Sequence, residues 1–184
     1  KNYITNKDVE KLSMEDTKLL YNEYVNPEQV NIFSAFDYNN EIFKKASGIN
    51  IYTQSGKKIL DFTGGLGVLN HGHNHPRILK TRIKFQKEEQ IEVNKLTLSP
   101  YIAALGHNIS NLLDKKLNKS YFSNSGAEAN EGAIKMAYAS YKNKRRYILS
   151  ADDSFHGKLI ATGSITGSLK HYDFPKMENF QFFI

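Results

Sequence analysis

The segment from Tyr121 to Glu131 joins an apolar stretch to small residues and then to strong helix formers. Ser125, Gly126 and Ala127 fall where a helix is predicted to begin, at about Ala127. The free N–H groups and the dipole of a helix start favour an anion, and small side chains leave room for it. The alternative is an ordinary N-cap, in which the Ser125 hydroxyl satisfies the amides. From these residues alone, a phosphate-binding helix start and an ordinary N-cap are equally well supported.

A second stretch, Ser154 to Lys158, follows a predicted strand, at the end of a sheet where α/β proteins bind ligands. Phe155 could stack on a planar ring beside His156, and Gly157 would permit a close approach of the backbone. The alternative places Phe155 in the core and Gly157 in a turn. Taken by itself, this stretch favours that alternative.

A third stretch is rich in glycine and histidine and runs from Asp61 to Pro76. His71, His73 and His75 recur at every second position, which raises the question of a metal site. With no carboxylate expected beside them, these histidines are typical of turns and of a helix entry. We therefore predict no metal site.

Hydrophobic periodicity and capping signals predict alternating helices and strands. Ser13 with Asp16 predicts a helix that ends at Asn26-Pro27, and residues 49–53 and 59–62 predict a hairpin. Further helices are predicted from Pro76 to about Gln90, after Ser99-Pro100, and over 127–141. Further strands are predicted over 121–123, 147–149 and 181–184. This rhythm indicates a parallel α/β sheet.

The composition narrows the class of protein. The chain has 184 residues, 40% of them hydrophobic and 24% charged, which is typical of a globular protein. No run approaches the roughly 20 apolar residues of a membrane span, so no membrane partner is expected. The absence of cysteine excludes disulfides and thiolate metal sites and fits a cytoplasmic location. The net charge of +6 is scattered, with its densest groups at Lys115-Lys116 and 142–146, so no nucleic-acid partner is expected.

Four stretches, in this order and spacing, together resemble the class III aminotransferases. These are the pyridoxal-phosphate (PLP) enzymes of the acetylornithine, ornithine and 4-aminobutyrate aminotransferase group. The stretches are Asp61–Gly67, Gly72–Pro76, Ser123–Lys135 and Ser154–Lys158, and the resemblance covers roughly residues 45–184. The forms of 64–73 and 155–158 most resemble the putrescine aminotransferase branch.

The resemblance implies a fold and a cofactor site. The fold is the α/β fold type I of PLP-dependent transferases (aspartate aminotransferase-like), incomplete here. Residues 1–50 form an N-terminal segment, and 51–184 form the first half of the PLP-binding large domain. In the family the loop that binds the cofactor phosphate is followed by an aromatic residue that stacks on the pyridine ring. The implied cofactor-binding residues are Ser125, Gly126, Ala127, Phe155 and His156.

The family's reaction also implies what lies outside these residues. The Schiff-base lysine and the acid that pairs with the pyridine nitrogen are expected beyond Ile184, and Lys135 and Lys158 do not replace that lysine. No catalytic residue is therefore expected in this chain. Because the chain stops on an apolar strand, we expect a fragment of a longer protein.

The intact protein would move an amino group from an amine or ω-amino acid to an oxo acid. It would act as a homodimer with active sites at the interface, where Gly64 and Gly65 shape the mouth. The alternative is a truncated, non-catalytic scaffold or interaction module of the same fold.

Overall fold

The computed structural model describes residues 3–93, 96–114, 116–141, 144, 147–169, 171–177 and 181–183, the last three by their backbone only. Contacts divide the chain into two compact units, Lys1–Glu92 and Val93–Ile184. The division into a segment 1–50 and a domain 51–184 concerns the complete protein and stays a prediction.

The first unit begins with three helices, α1 (Asn6–Val9), α2 (Met14–Tyr24) and α3 (Pro27–Ala35). A reciprocal capping box starts α2, because Ser13 Oγ accepts from Asp16 N at 3.0 Å and Ser13 N donates to the Asp16 carboxylate at 3.0 Å. The predicted helix after Ser13 is confirmed. It ends at Tyr24, and Asn26 then caps α3, whose first residue is a proline.

A three-stranded antiparallel sheet follows, in the order β1-β2-β3. Its strands are β1 (Phe43–Ser47), β2 (Asn50–Thr53) and β3 (Lys58–Leu60). The hairpin of β2 and β3 is confirmed, with Ile51 opposite Ile59. Strand β1 lacks an alternating pattern because it carries two adjacent lysines, Lys44 and Lys45, and it was not predicted.

The glycine-rich loop after β3 is fastened back onto this sheet. It contains a short turn, α4 (Gly64–Gly67), and leads into α5 (Pro76–Lys87). Gly48 and His73 exchange backbone hydrogen bonds of 2.9 and 2.8 Å. The loop therefore returns to the turn between β1 and β2 before α5 begins.

Asp61 organises the start of the same loop. Its Oδ1 accepts hydrogen bonds from the backbone N–H of Thr63 and Gly64 and from the Thr63 hydroxyl, at 2.7–2.9 Å. Its Oδ2 lies 2.8 Å from His73 Nε2. The expectation that no carboxylate lies near the histidines is wrong, because the loop folds Asp61 and His73 together across twelve residues. The Thr63 hydroxyl, His73 and the Gly64 N–H hold the Asp61 pKa well below its usual range.

The second unit contains helices α6 (Pro100–Leu112), α7 (Gly126–Ser140) and α8 (Ile160–Ser164) and strands β4 (Leu149–Ala151) and β5 (Gln181–Phe183). Strands β4 and β5 pair in parallel, as the predicted α/β rhythm requires. Strand β4 begins two residues later than predicted, and Ile184 lies outside the described residues. Lys115 and the basic residues Lys142, Arg145 and Arg146 also lie outside them.

The core of the second unit lies between α7 and α8. Its buried apolar residues in the described part are Ile134, Ala161 and Ile165, with Tyr138 and Ile148 packed against them. Buried hydroxyls of Thr162, Ser164 and Thr166 line the same region. The contact of these two helices is therefore partly apolar and partly hydrogen-bonded.

The predicted strand over 121–123 is wrong. These residues have no regular structure and pair with no described strand. Instead, Tyr121 lies against α7, where its Cε1 is 2.7 Å from the position that a Cβ on Gly132 would take. The apolar stretch is thus used to pack on a helix rather than to join a ladder.

Within the described ranges, none of the helices combines the length and the apolar character that crossing a bilayer requires.

The Asp61 carboxylate gives a testable pH dependence. Because its folded pKa is depressed, its stabilising contribution is full above the unfolded pKa of about 3.9 and is lost as the pH falls through the folded pKa. Asp61→Asn keeps an acceptor oxygen for Thr63 and Gly64 but does not titrate. We expect the free energy of unfolding of the wild type to fall more steeply below about pH 4 than that of the variant. Urea titrations over this pH range measure it, and parallel curves for the two proteins would contradict the assignment.

Candidate functional site

The start of α7 is an N-capped helix end with an open approach. Ser125 has extended dihedral angles (φ −150°, ψ 162°), and its Oγ accepts from Glu128 N at 3.2 Å. Glu128 in turn accepts from Asn124 N at 2.7 Å. The cap is therefore formed, as one of the two interpretations required. It uses only an acceptor lone pair of Ser125 and leaves that hydroxyl hydrogen for another acceptor.

Two amides of the first turn remain available. Among the described residues, no acceptor lies on the N–H of Gly126 or Ala127. A Cβ on Gly126 would meet nothing within 4 Å. The helix thus presents two N–H groups and the positive end of a 15-residue dipole to open space. A capped helix start and an anion site are compatible here, because they use different atoms.

The second motif lies directly against this helix start. Gly157 has φ +133°, and a Cβ on it would come within 2.6 Å of Ala127 Cβ and 2.8 Å of Thr162 Oγ1. Only glycine allows this approach and this backbone conformation. The structure therefore brings together two of the predicted segments, Ser125–Ala127 and the stretch after Ser154, which lie thirty residues apart in sequence.

The backbone of His156 is held on both sides. Its carbonyl accepts from Asn130 Nδ2 at 2.8 Å, and its N–H donates to Thr166 Oγ1 at 3.0 Å. Its side-chain Nε2 is buried and has no hydrogen-bond partner within the described part of the chain. The ring thus carries a polar atom that a ligand could satisfy.

Phe155 is not a core residue. Its side chain is 62% exposed, although its neighbours are held by hydrogen bonds. In the part of the protein that this chain spans, Phe155 therefore does not take the core position of the alternative interpretation. An exposed aromatic ring on a fixed backbone can stack on a planar ligand.

Three further residues shape the site and were not predicted as part of it: Asn130, Glu131 and Thr166. Glu131 Oε1 accepts from the N–H groups of Ala161 and Thr162, both at 3.0 Å. Thr166 is fully buried, and its hydroxyl lies 2.9 Å from Gly157 O. Except for the Thr162 carbonyl next to Thr166, their partners lie 9 to 31 residues away in sequence, so a local sequence pattern does not reveal these contacts.

The predicted mouth residues Gly64 and Gly65 belong to the first unit and lie in the left-handed turn α4. His71, His73 and His75 belong to the same unit. Over the ranges the structure describes, no group of three histidine, aspartate or glutamate side chains is placed to hold a metal ion.

Comparison with known proteins shows which family this chain resembles. Residues 33–183 match Aminotransferase class-III. The acetylornithine aminotransferase of Prochlorococcus marinus subsp. pastoris is 34% identical over 165 residues, 85% of this chain and 38% of that protein. That of Caldanaerobacter subterraneus subsp. tengcongensis is 39% identical over 132 residues, 70% of this chain and 33% of that protein. The chain thus spans less than two fifths of these relatives.

Solved structures show the fold. The taurine:2-oxoglutarate aminotransferase from Bifidobacterium kashiwanohense, in complex with PLP and glutamate, superposes with a TM-score of 0.74 at 26% identity. The alignment covers 94% of this chain and 38% of that chain. The ornithine aminotransferase from Toxoplasma gondii also gives a TM-score of 0.74, at 20% identity. The predicted α/β fold of PLP-dependent transaminases is confirmed in the part that this chain spans.

The match over residues 33–183, the sequence identities and the shared architecture together establish that this chain belongs to the class-III aminotransferase family.

Proposed function

We propose that the complete protein is a PLP-dependent aminotransferase that moves an amino group from an amine or ω-amino acid to an oxo acid. One observation carries the proposal: the close contact of Gly157 with Ala127. It brings the loop that carries the exposed ring of Phe155 against the open N-terminus of α7, in a chain of this family. A phosphorylated aromatic cofactor needs both features at once.

The helix start fits the phosphate of PLP. The Gly126 and Ala127 N–H groups and the Ser125 hydroxyl supply three donors, and the helix dipole adds a favourable potential. The space beside Gly126, which a Cβ would begin to fill, leaves room for the phosphate oxygens.

The loop fits the ring of the same group. Phe155 would lie against a ring face. The Nε2 of the adjacent His156, which has no partner among the described residues, offers a hydrogen-bonding atom. When bound, PLP supplies an electron-withdrawing ring that stabilises negative charge on the substrate carbon. The chain's own residues bind and orient this ring, and they leave proton transfer to groups elsewhere in the protein.

Assembly as a homodimer in the cytoplasm, with amine and oxo-acid substrates, is the matching proposal for the whole protein. The support for the homodimer is membership of the class-III aminotransferase family. Sedimentation of the full-length protein as a stable monomer at high concentration would contradict the dimer.

For the amino donor, we propose the putrescine type. Its support is the sequence form of the two stretches 64–73 and 155–158. Rates with putrescine and with N-acetylornithine on the full-length protein distinguish this branch from the acetylornithine branch, and a clear preference for N-acetylornithine would exclude it.

Substitution of Gly126 tests the phosphate site. In the full-length protein, Gly126→Val fills the space where the phosphate oxygens approach the amides, and we expect PLP to bind about tenfold more weakly or worse. Gly106→Val is the matched control, because Gly106 is also a helix residue with nothing within 4 Å of its Cβ position. Titration of the apoenzyme with PLP measures the dissociation constant. Equal losses in both variants, or none in either, would contradict the site.

The position of the lysine that binds PLP covalently tests whether this chain supplies only cofactor-binding residues. We expect borohydride reduction of the PLP-loaded full-length protein, followed by peptide mass mapping, to label one lysine after Ile184. Lys135 and Lys158 are exposed residues on α7 and in the Phe155 loop, and neither is expected to be labelled. Stoichiometric label on either would mean that this chain carries the catalytic lysine. Failure of any lysine to be labelled would favour the non-catalytic scaffold.

A further inference from the structure

Helix α8 begins without a cap of its own. Its N-cap position is Leu159, whose side chain has no oxygen and cannot accept from the amides of the first turn. The missing acceptor comes from another helix, because Glu131 Oε1 receives the N–H groups of both Ala161 and Thr162 at 3.0 Å. One carboxylate oxygen therefore satisfies two first-turn amides of α8.

Burial makes this contact important. Ala161 is 4% exposed and Thr162 is 0% exposed, so water cannot replace the carboxylate. Leaving buried amides without an acceptor is costly, and a negative charge at a helix start is favourable. Glu131 consequently holds the start of α8 against α7 more firmly than the small apolar core alone would.

The same contact controls the loop that carries Phe155. Leu159 follows directly after the stretch 154–158, so fixing Ala161 and Thr162 fixes the end of that stretch. Asn130, adjacent to Glu131 on α7, holds the His156 carbonyl at 2.8 Å. Two neighbouring residues of α7 thus tie down the segment 156–161 at both ends.

We propose that Glu131 is a positioning residue of the cofactor site. By capping α8 from α7, it fixes the loop that carries Phe155 relative to the start of α7, where the amides of Gly126 and Ala127 lie. This inference rests on the proposed function, because it concerns how tightly and in what orientation PLP is held. Glu131 itself contacts neither of these cofactor-binding groups in the described hydrogen bonds.

The test compares three substitutions of Glu131 in the full-length protein. Glu131→Met keeps the length of the side chain but has no acceptor, and Glu131→Gln keeps the acceptor oxygen without the charge. Lys135→Ala is the control, because it is exposed and lies one turn further along α7. Glu131→Asp keeps the charge but withdraws the oxygen by one methylene, and it serves if the Met variant does not fold.

Three measurements separate positioning from a merely structural role. They are the PLP dissociation constant, the visible circular dichroism of bound PLP, and hydrogen exchange of peptides covering 154–162 in the apoprotein. For Glu131→Met we expect about tenfold weaker PLP binding, a changed dichroic band and faster exchange. Glu131→Asp should move the same three readouts in the same direction. Glu131→Gln should stay within about twofold of the wild type, and Lys135→Ala should match it.

Several outcomes overturn the inference. Wild-type PLP binding, dichroism and exchange in Glu131→Met, or in Glu131→Asp where it replaces that variant, remove the positioning role. A loss in Glu131→Gln as large as that in Glu131→Met removes the role of the acceptor oxygen. If the free energy of unfolding falls while PLP binding, dichroism and exchange stay unchanged, Glu131 contributes to stability alone. A wild-type protein that does not bind PLP overturns the proposed function instead, and the exchange data then still show whether Glu131 holds the loop.

Discussion

The contact of Gly157 with Ala127 is the constraint on which the rest of the candidate site depends. A Cβ at Gly157 would come within 2.6 Å of the Ala127 side chain, a distance that real Cβ atoms essentially never show. Any larger residue at either position would push the loop off the start of α7. The loop that carries the exposed ring would then no longer lie against the helix start that carries the open amides. Small size at these two positions is therefore a requirement of geometry, independent of any reacting group.

When two backbones approach this closely, their buried N–H and C=O groups need hydrogen-bond partners. Side-chain hydroxyls and carboxylates supply these partners. The fully buried Thr166 hydroxyl accepts from His156 N and lies within hydrogen-bond distance of two carbonyls, those of Gly157 and Thr162. Having one hydrogen, it donates to one of them at a time. The polar interior of this unit is thus the means by which an irregular loop can be buried against a helix.

The sequence predicts what is local and misses what is paired across distance. Helix starts at Ser13, Ser99 and Ser125 were found because each cap lies within three residues of its partner. The stretch 121–123 has the composition of a strand, but its environment is the face of α7, which composition does not reveal. Strand β1 is the opposite case. Its two lysines do not suggest a strand, but pairing with β2 stabilises one.

The same contrast between local and long-range features holds within the candidate site. Ser125, Gly126 and Ala127 are a contiguous motif, and Phe155 and His156 are another, so sequence alone could propose both. Their roles toward PLP stay predictions, whereas the hydrogen bonds of Glu131 and Asn130 became visible only when the loop was folded onto α7. Residues that hold a site together are harder to predict than those that face a ligand, because their partners are set by tertiary structure.

The glycine-rich loop of the first unit is held in a fixed conformation by one carboxylate. Asp61 binds Thr63, Gly64 and His73 at once, so the turn is held at both ends by one carboxylate. Phe62 and Leu66 project from this turn into solvent. Gly64, Gly65, Leu66 and Gly67 in this turn all have positive φ, a conformation that glycine adopts without strain and leucine rarely adopts. The hydrogen bonds of Asp61 therefore help to hold a backbone conformation that the leucine alone would not keep.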